Sequence, residues 1–164
     1  VYLLLRAGPG IESLMDSRKI IRFIFPFEAV AERLSGRPTS VIWEHQPGKL
    51  GTAGRKGLTG EITLEPDLEG IEEIRVFLHE VAHVKNDLTK IYDEAANPDY
   101  EPPAPSTRLE ANVWKRLADN RETSAWKQSD TWLTWAVYIL QAKGKKISPY
   151  LILVELLSYP KGRS

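Results

Sequence analysis

The sequence predicts a mostly helical α+β fold in which a small antiparallel sheet packs beside one central helix. Three observations predict it. The stretch Val76-Phe77-Leu78-His79-Glu80-Val81-Ala82-His83 lies in a run whose apolar residues recur at helical spacing. Two short segments rich in β-branched and aromatic residues, 39–45 and 61–64, precede it and are separated by turn-forming glycines. Beyond residue 106 the chain reads almost entirely as helix. At 164 residues, 42% hydrophobic and 27% charged, the chain is long enough for one unit with a proper core. We therefore expect a single domain over residues 1–164, with its core at about 20–120 and a helical C-terminal part at about 124–160.

The elements follow in order. Ala7-Gly8-Pro9-Gly10 breaks the chain, and residues 11–25 read as helix or, around Ile20–Phe25, as a strand, with helix the preferred reading. Pro26 opens a helix over 27–35, which Gly36 closes. Residues 39–45, flanked by Pro38 and Pro47-Gly48, read as a strand; Glu61, Ile62, Thr63 and Leu64 read as a second one, paired to the first as a hairpin. Glycines 48, 51, 54, 57 and 60 lie between them with Arg55 and Lys56. A phosphate cradle would need a Gly-Lys-Ser/Thr pattern leading into a helix, and turn chemistry fits better.

The central helix begins between Asp67 and Ile71 and runs to about Leu88, with Ile71, Ile74, Phe77, Leu78, Val81, Ala82 and Val84 on one apolar arc. Four prolines make residues 93–106 a surface loop. A helix over 106–118 carries the stripe Leu109, Val113, Trp114 and Leu117. A separate helix over 124–144 is apolar on most of its circumference, either deeply packed or facing a partner. Ser148-Pro149 caps a final helix from Tyr150 to Ser158.

Chemistry points to the central helix. Residues four apart lie on one helix face about 6 Å from each other, so His79 and His83 can aim one imidazole nitrogen each at a single ion. That is zinc-ligand spacing. Glu80 projects beside the ion, where it can take a proton from water activated there. Glu110 falls inside the apolar stripe of its helix, and a carboxylate facing a core needs a partner, which zinc would be. The competing reading is a capping box, Thr107-x-x-Glu110, in which Glu110 reaches back to the helix start. Asp87 and Asp93 are further candidates for the third ligand, and His45, Tyr92, Tyr100 and Tyr138 for stabilising an oxyanion.

Composition excludes several alternatives. Lys+Arg and Asp+Glu are both 22, so there is no overall basic field to bind nucleic acid. Without cysteine there is no disulfide, thiolate metal site or Cys nucleophile, which fits a cytoplasmic location. No apolar run approaches the roughly 20 residues needed to span a bilayer, and the apolar start is too short for a signal-sequence core.

With Ile62-Thr63-Leu64, Phe77-Leu78-His79-Glu80-Val81-Ala82-His83 and Glu110-Ala111-Asn112 followed by Trp114, the chain resembles the ImmA/IrrE family of small zincin metallopeptidases over about residues 20–120. The resemblance implies His79, His83 and Glu110 as zinc ligands and Glu80 as catalytic base. It also implies an edge strand, Glu61, Ile62, Thr63 and Leu64, that pairs with the extended substrate. Members of the family act on helix-turn-helix repressors; no such DNA-binding domain is visible here, so a repressor target would be a separate chain. Metzincins need Gly and His three and six residues beyond His83, where Asn86 and Thr89 stand. The rival from another class is a catalytically idle module of the same fold that binds a protein through its tryptophan-rich C-terminal helices.

Overall fold

The computed structural model describes residues 25–86 and 108–162, apart from the side chains of 108–114 and 117. Helix α1 (Phe27–Ser35) leads into β1 (Thr39–Trp43), β2 (Gly51–Lys56) and β3 (Thr59–Leu64). Helices α2 (Gly70–Asn86), α3 (Arg108–Ala142) and α4 (Pro149–Leu156) follow. The described residues are mostly helical, with the sheet beside α2 as expected.

Local chemistry explains the ends that hold. Gly36 takes the left-handed conformation at φ 80° and its N–H bonds the Glu32 carbonyl at 2.9 Å, closing α1. Ser148 caps α4 by accepting from the Leu151 N–H at 3.2 Å, with Pro149 in the first turn.

The sheet departs from the expected hairpin. Its order is β1-β3-β2, with β1 parallel and β2 antiparallel to β3. The glycine-rich segment is itself the strand β2, joined to β3 by a two-residue turn in which Gly57 adopts φ 63°. Glycine weakens a strand in isolation, but here it permits close packing. A Cβ on Gly51 would lie 2.9 Å from Val76 Cγ1, and one on Gly60 would lie 2.8 Å from Val84 Cγ1, so the missing side chains let the sheet rest on α2.

Phe27 and Phe77 lie in the core and the half-buried Trp43 packs against them, with Phe27 edge-on to each of the other two at 5.0 Å. Ile74, Leu78, Val81 and Ala82 of α2 are fully buried with them. Each such side chain contributes about 1.5–3 kcal/mol relative to exposure, less for Ala82. Ile71, expected on this arc, is instead exposed in the first turn of α2.

The largest correction concerns α3. Two helices expected over 106–118 and 124–144 are one continuous helix, Arg108–Ala142. The residues between them, Asp119-Asn120-Arg121-Glu122-Thr123, contain neither Gly nor Pro and so carry no stop signal. Ala125, Ser129, Trp132, Ala136 and Leu140 form its buried stripe, at spacings of three and four residues.

Candidate metal centre

His79, Glu80 and His83 all lie on α2 and are buried, at 7%, 5% and 7% exposure. Their ligand atoms lie within 4.8 Å of one another, and the two imidazole rings are 4.6 Å apart between centroids. One turn of helix sets this spacing, as the motif requires.

A fourth group joins them from α3. Glu122 places Oε2 at 2.9 Å from His79 Nε2 and Oε1 at 2.9 Å from His83 Nε2. The His79 contact is short but lacks hydrogen-bond direction, so among the described residues the buried His79 Nε2 has no hydrogen-bond partner; neither does His83 Nδ1. Two imidazole nitrogens turned toward one carboxylate, one of them buried without a hydrogen bond, form a donor set that fits zinc. His79, His83 and Glu122 would hold such an ion with three ligands, a set that in zinc sites of this kind leaves room for water or substrate. Together with Glu80 this is the His-Glu-x-x-His plus Glu signature of a zinc metalloendopeptidase.

His79 Nδ1 lies 3.2 Å from Glu80 Oε1. With the proton on Nδ1, His79 donates to Glu80 and keeps the Nε2 lone pair free for a ligand bond. Burial works against the imidazolium of His79, but Glu80, by hydrogen bond and charge, and Glu122 outweigh it, and the pKa is raised above the ordinary 6.5.

Glu80 is held from the sheet side. A Cβ on Gly51 would lie 3.0 Å from Glu80 Cγ and 3.3 Å from its Oε1, so β2 touches the acid through bare backbone. From the other side, the Trp126 indole stacks on His79 at 4.1 Å and 8°.

The expected third ligand, Glu110, lies on α3, but its side chain is outside the described residues. Glu122 was missed because it falls between the two helices the sequence suggested. The signal existed: it stands three residues before Ala125 and extends the buried stripe of α3 by one step. The substrate strand needs correction. Glu61, Ile62, Thr63 and Leu64 belong to β3, the central strand, whose backbone is paired on both sides, so it has no free edge. Among the described residues β2 pairs on one side only. On the opposite border of the sheet, the Val41 N–H of β1 donates to Glu28 Oε2 of α1 at 3.3 Å.

Of the oxyanion candidates, His45 pairs with Glu65 at 2.8 Å and is exposed. Tyr138 is sixteen residues from Glu122 on one helix, about 24 Å along its axis, too far to reach the site. Tyr92 and Tyr100 lie outside the described residues, as do Asp87 and Asp93. No protein-family model matches the chain, and neither does any of the curated proteins or solved structures compared with it.

Proposed function

We propose that this protein is a zinc-dependent endopeptidase that hydrolyses a peptide bond in a protein substrate. The observation that carries this reading is Glu122 meeting the Nε2 atoms of both motif histidines at 2.9 Å, beside Glu80. His79, His83 and Glu122 would hold the metal. Glu110, the ligand the sequence suggests, is twelve residues earlier on α3, about 18 Å along the axis, and this reading gives the carboxylate position to Glu122 in its place.

When bound, zinc supplies a Lewis acid that polarises a peptide carbonyl and makes water acidic enough to ionise near neutral pH. Glu80 accepts the proton as the water oxygen bonds to the carbonyl carbon, then returns it to the amine nitrogen as the C–N bond breaks. The Nδ1–H of His79 meets the Glu80 carboxylate and orients it. The edge of β2, a strand that pairs on one side only among the described residues, is suited to pairing with an extended peptide, and Gly51 would bring that peptide past Glu80.

The resemblance to the ImmA/IrrE family supports a separate helix-turn-helix repressor as substrate, met in the cytoplasm. Balanced charge disfavours direct nucleic-acid binding, and among the described residues no helix is long and apolar enough to cross a membrane. To test the reading, zinc-loaded protein is incubated with denatured casein and with recombinant helix-turn-helix repressors, and products are sequenced by mass spectrometry. Wild type yields fragments, while Glu80→Gln keeps its zinc and yields none. Equal cleavage by Glu80→Gln, or none by the zinc-loaded wild type, contradicts it.

A further inference from the structure

Metal-bound histidines are ordinarily fixed by an acceptor on the second ring nitrogen, which sets the plane of the imidazole. Among the described residues neither histidine has an acceptor that serves this purpose alone. In that set His83 Nδ1 is buried without a partner, and His79 Nδ1 meets only Glu80, a group with a proton of its own to move.

His79 has another restraint. The Trp126 indole lies nearly parallel to its imidazole, 8° apart in plane and 4.1 Å between centroids. The same indole reaches Arg75, one turn earlier on α2, whose guanidinium carbon is 5.3 Å from the ring centroid. Trp126 therefore spans one turn of α2, from Arg75 to His79, and is half-buried there. On its own helix it stands one turn after Glu122. The register of α3 thus delivers a carboxylate and a flat aromatic surface to the histidines together.

We propose that Trp126 is a positioning residue for the metal centre: its stacked indole holds the His79 imidazole in the plane that aims Nε2 at the ion. The indole adds a second restraint to the His79–Glu80 contact, whose acid has a proton of its own to move, and Arg75 steadies the indole. The inference rests on the metal reading above.

The test is zinc affinity of the full chain, measured by competition with a chromophoric chelator, together with the visible absorption of the cobalt-substituted protein. Trp126→Leu removes the flat surface and weakens zinc about 10–100-fold, the range seen when outer partners of metal ligands are lost, with an altered cobalt spectrum. Trp126→Phe keeps a flat ring and recovers most of the affinity and the wild-type spectrum. Trp132→Phe, changed in the core of the same helix, lowers stability but leaves zinc affinity and the cobalt spectrum alone. Should Trp126→Leu fail to fold, Trp126→Gln at this half-buried position takes its place. Wild-type affinity and spectrum in a folded Trp126→Leu or Trp126→Gln variant overturn the proposal while leaving the metal reading intact. A wild-type protein that binds no zinc overturns both.

Discussion

The two sides of α2 are buried almost equally and by opposite means. Ile74, Phe77, Leu78 and Val81 are fully enclosed by apolar neighbours, and their burial is favourable in itself. His79, Glu80 and His83 are nearly as enclosed, but burying polar groups is unfavourable until something satisfies them. The apolar side is therefore what holds the helix in place, and the polar side is what the rest of the fold must complete, from β2 through Gly51 and from α3 through Glu122 and Trp126. Stability and chemistry are thus separable on a single helix.

Separation can be broken at either side. The largest effect is expected from Glu80→Gln, with kcat falling about 10²–10⁴-fold while zinc content and unfolding midpoint hold. Steady-state kinetics and metal analysis on one preparation check both halves. Phe77→Ala acts in the opposite sense: it lowers the unfolding free energy by about 3–5 kcal/mol in urea titration, and the chains that remain folded bind zinc as before. A core change that abolished zinc binding in the folded state would join the two sides again.

Removing Glu122 addresses the polar side alone. Glu122→Ala is expected to weaken zinc by more than about 100-fold, beyond the range for outer partners of ligands, whereas Glu110→Ala leaves it nearly unchanged. Gly51→Ala comes next. Its backbone tolerates alanine, since φ is not in the left-handed region, but the new Cβ meets Val76 and Glu80 within about 3 Å. Displacing the acid by a fraction of an ångström should lower kcat about tenfold, with KM and zinc content little altered.

Sequence and structure agree where the information is local. The motif helix was legible because one turn of helix dictates the relation of His79, Glu80 and His83, and Gly36 and Ser148-Pro149 announce helix ends by their own chemistry. Disagreement lies where distant segments decide. Glycine-rich residues 51–56 do not read as a strand, because what favours them is the surface of α2 beneath Gly51. Likewise, β3 looked like an edge because nothing local says that β1 lies parallel on one side and β2 antiparallel on the other. Glu122 is hard to see in the sequence because the polar run 119–123 reads as an interruption, although the stripe at Ala125, Ser129 and Trp132 projects back onto it.

The smallest effect expected is on pH. In the metal-free protein, the raised pKa of His79 contributes stability that is fully present below 6.5 and is lost as pH rises through the folded-state value. Zinc affinity runs the other way, falling as pH drops through that same value, because proton and metal compete for one nitrogen. Urea midpoints of chelator-treated protein and zinc titrations across the same pH series should therefore slope in opposite directions.

One cation held jointly by α2 and α3 is the centre on which the proposed chemistry turns. X-ray absorption at the zinc edge, on purified wild-type protein and on Glu122→Ala, tests this most directly. The expected result is one zinc per wild-type chain, with two imidazoles and a carboxylate in its coordination shell, and loss of the carboxylate and most of the metal in the variant. A wild-type protein without zinc, or an unchanged coordination shell after Glu122 is removed, contradicts it.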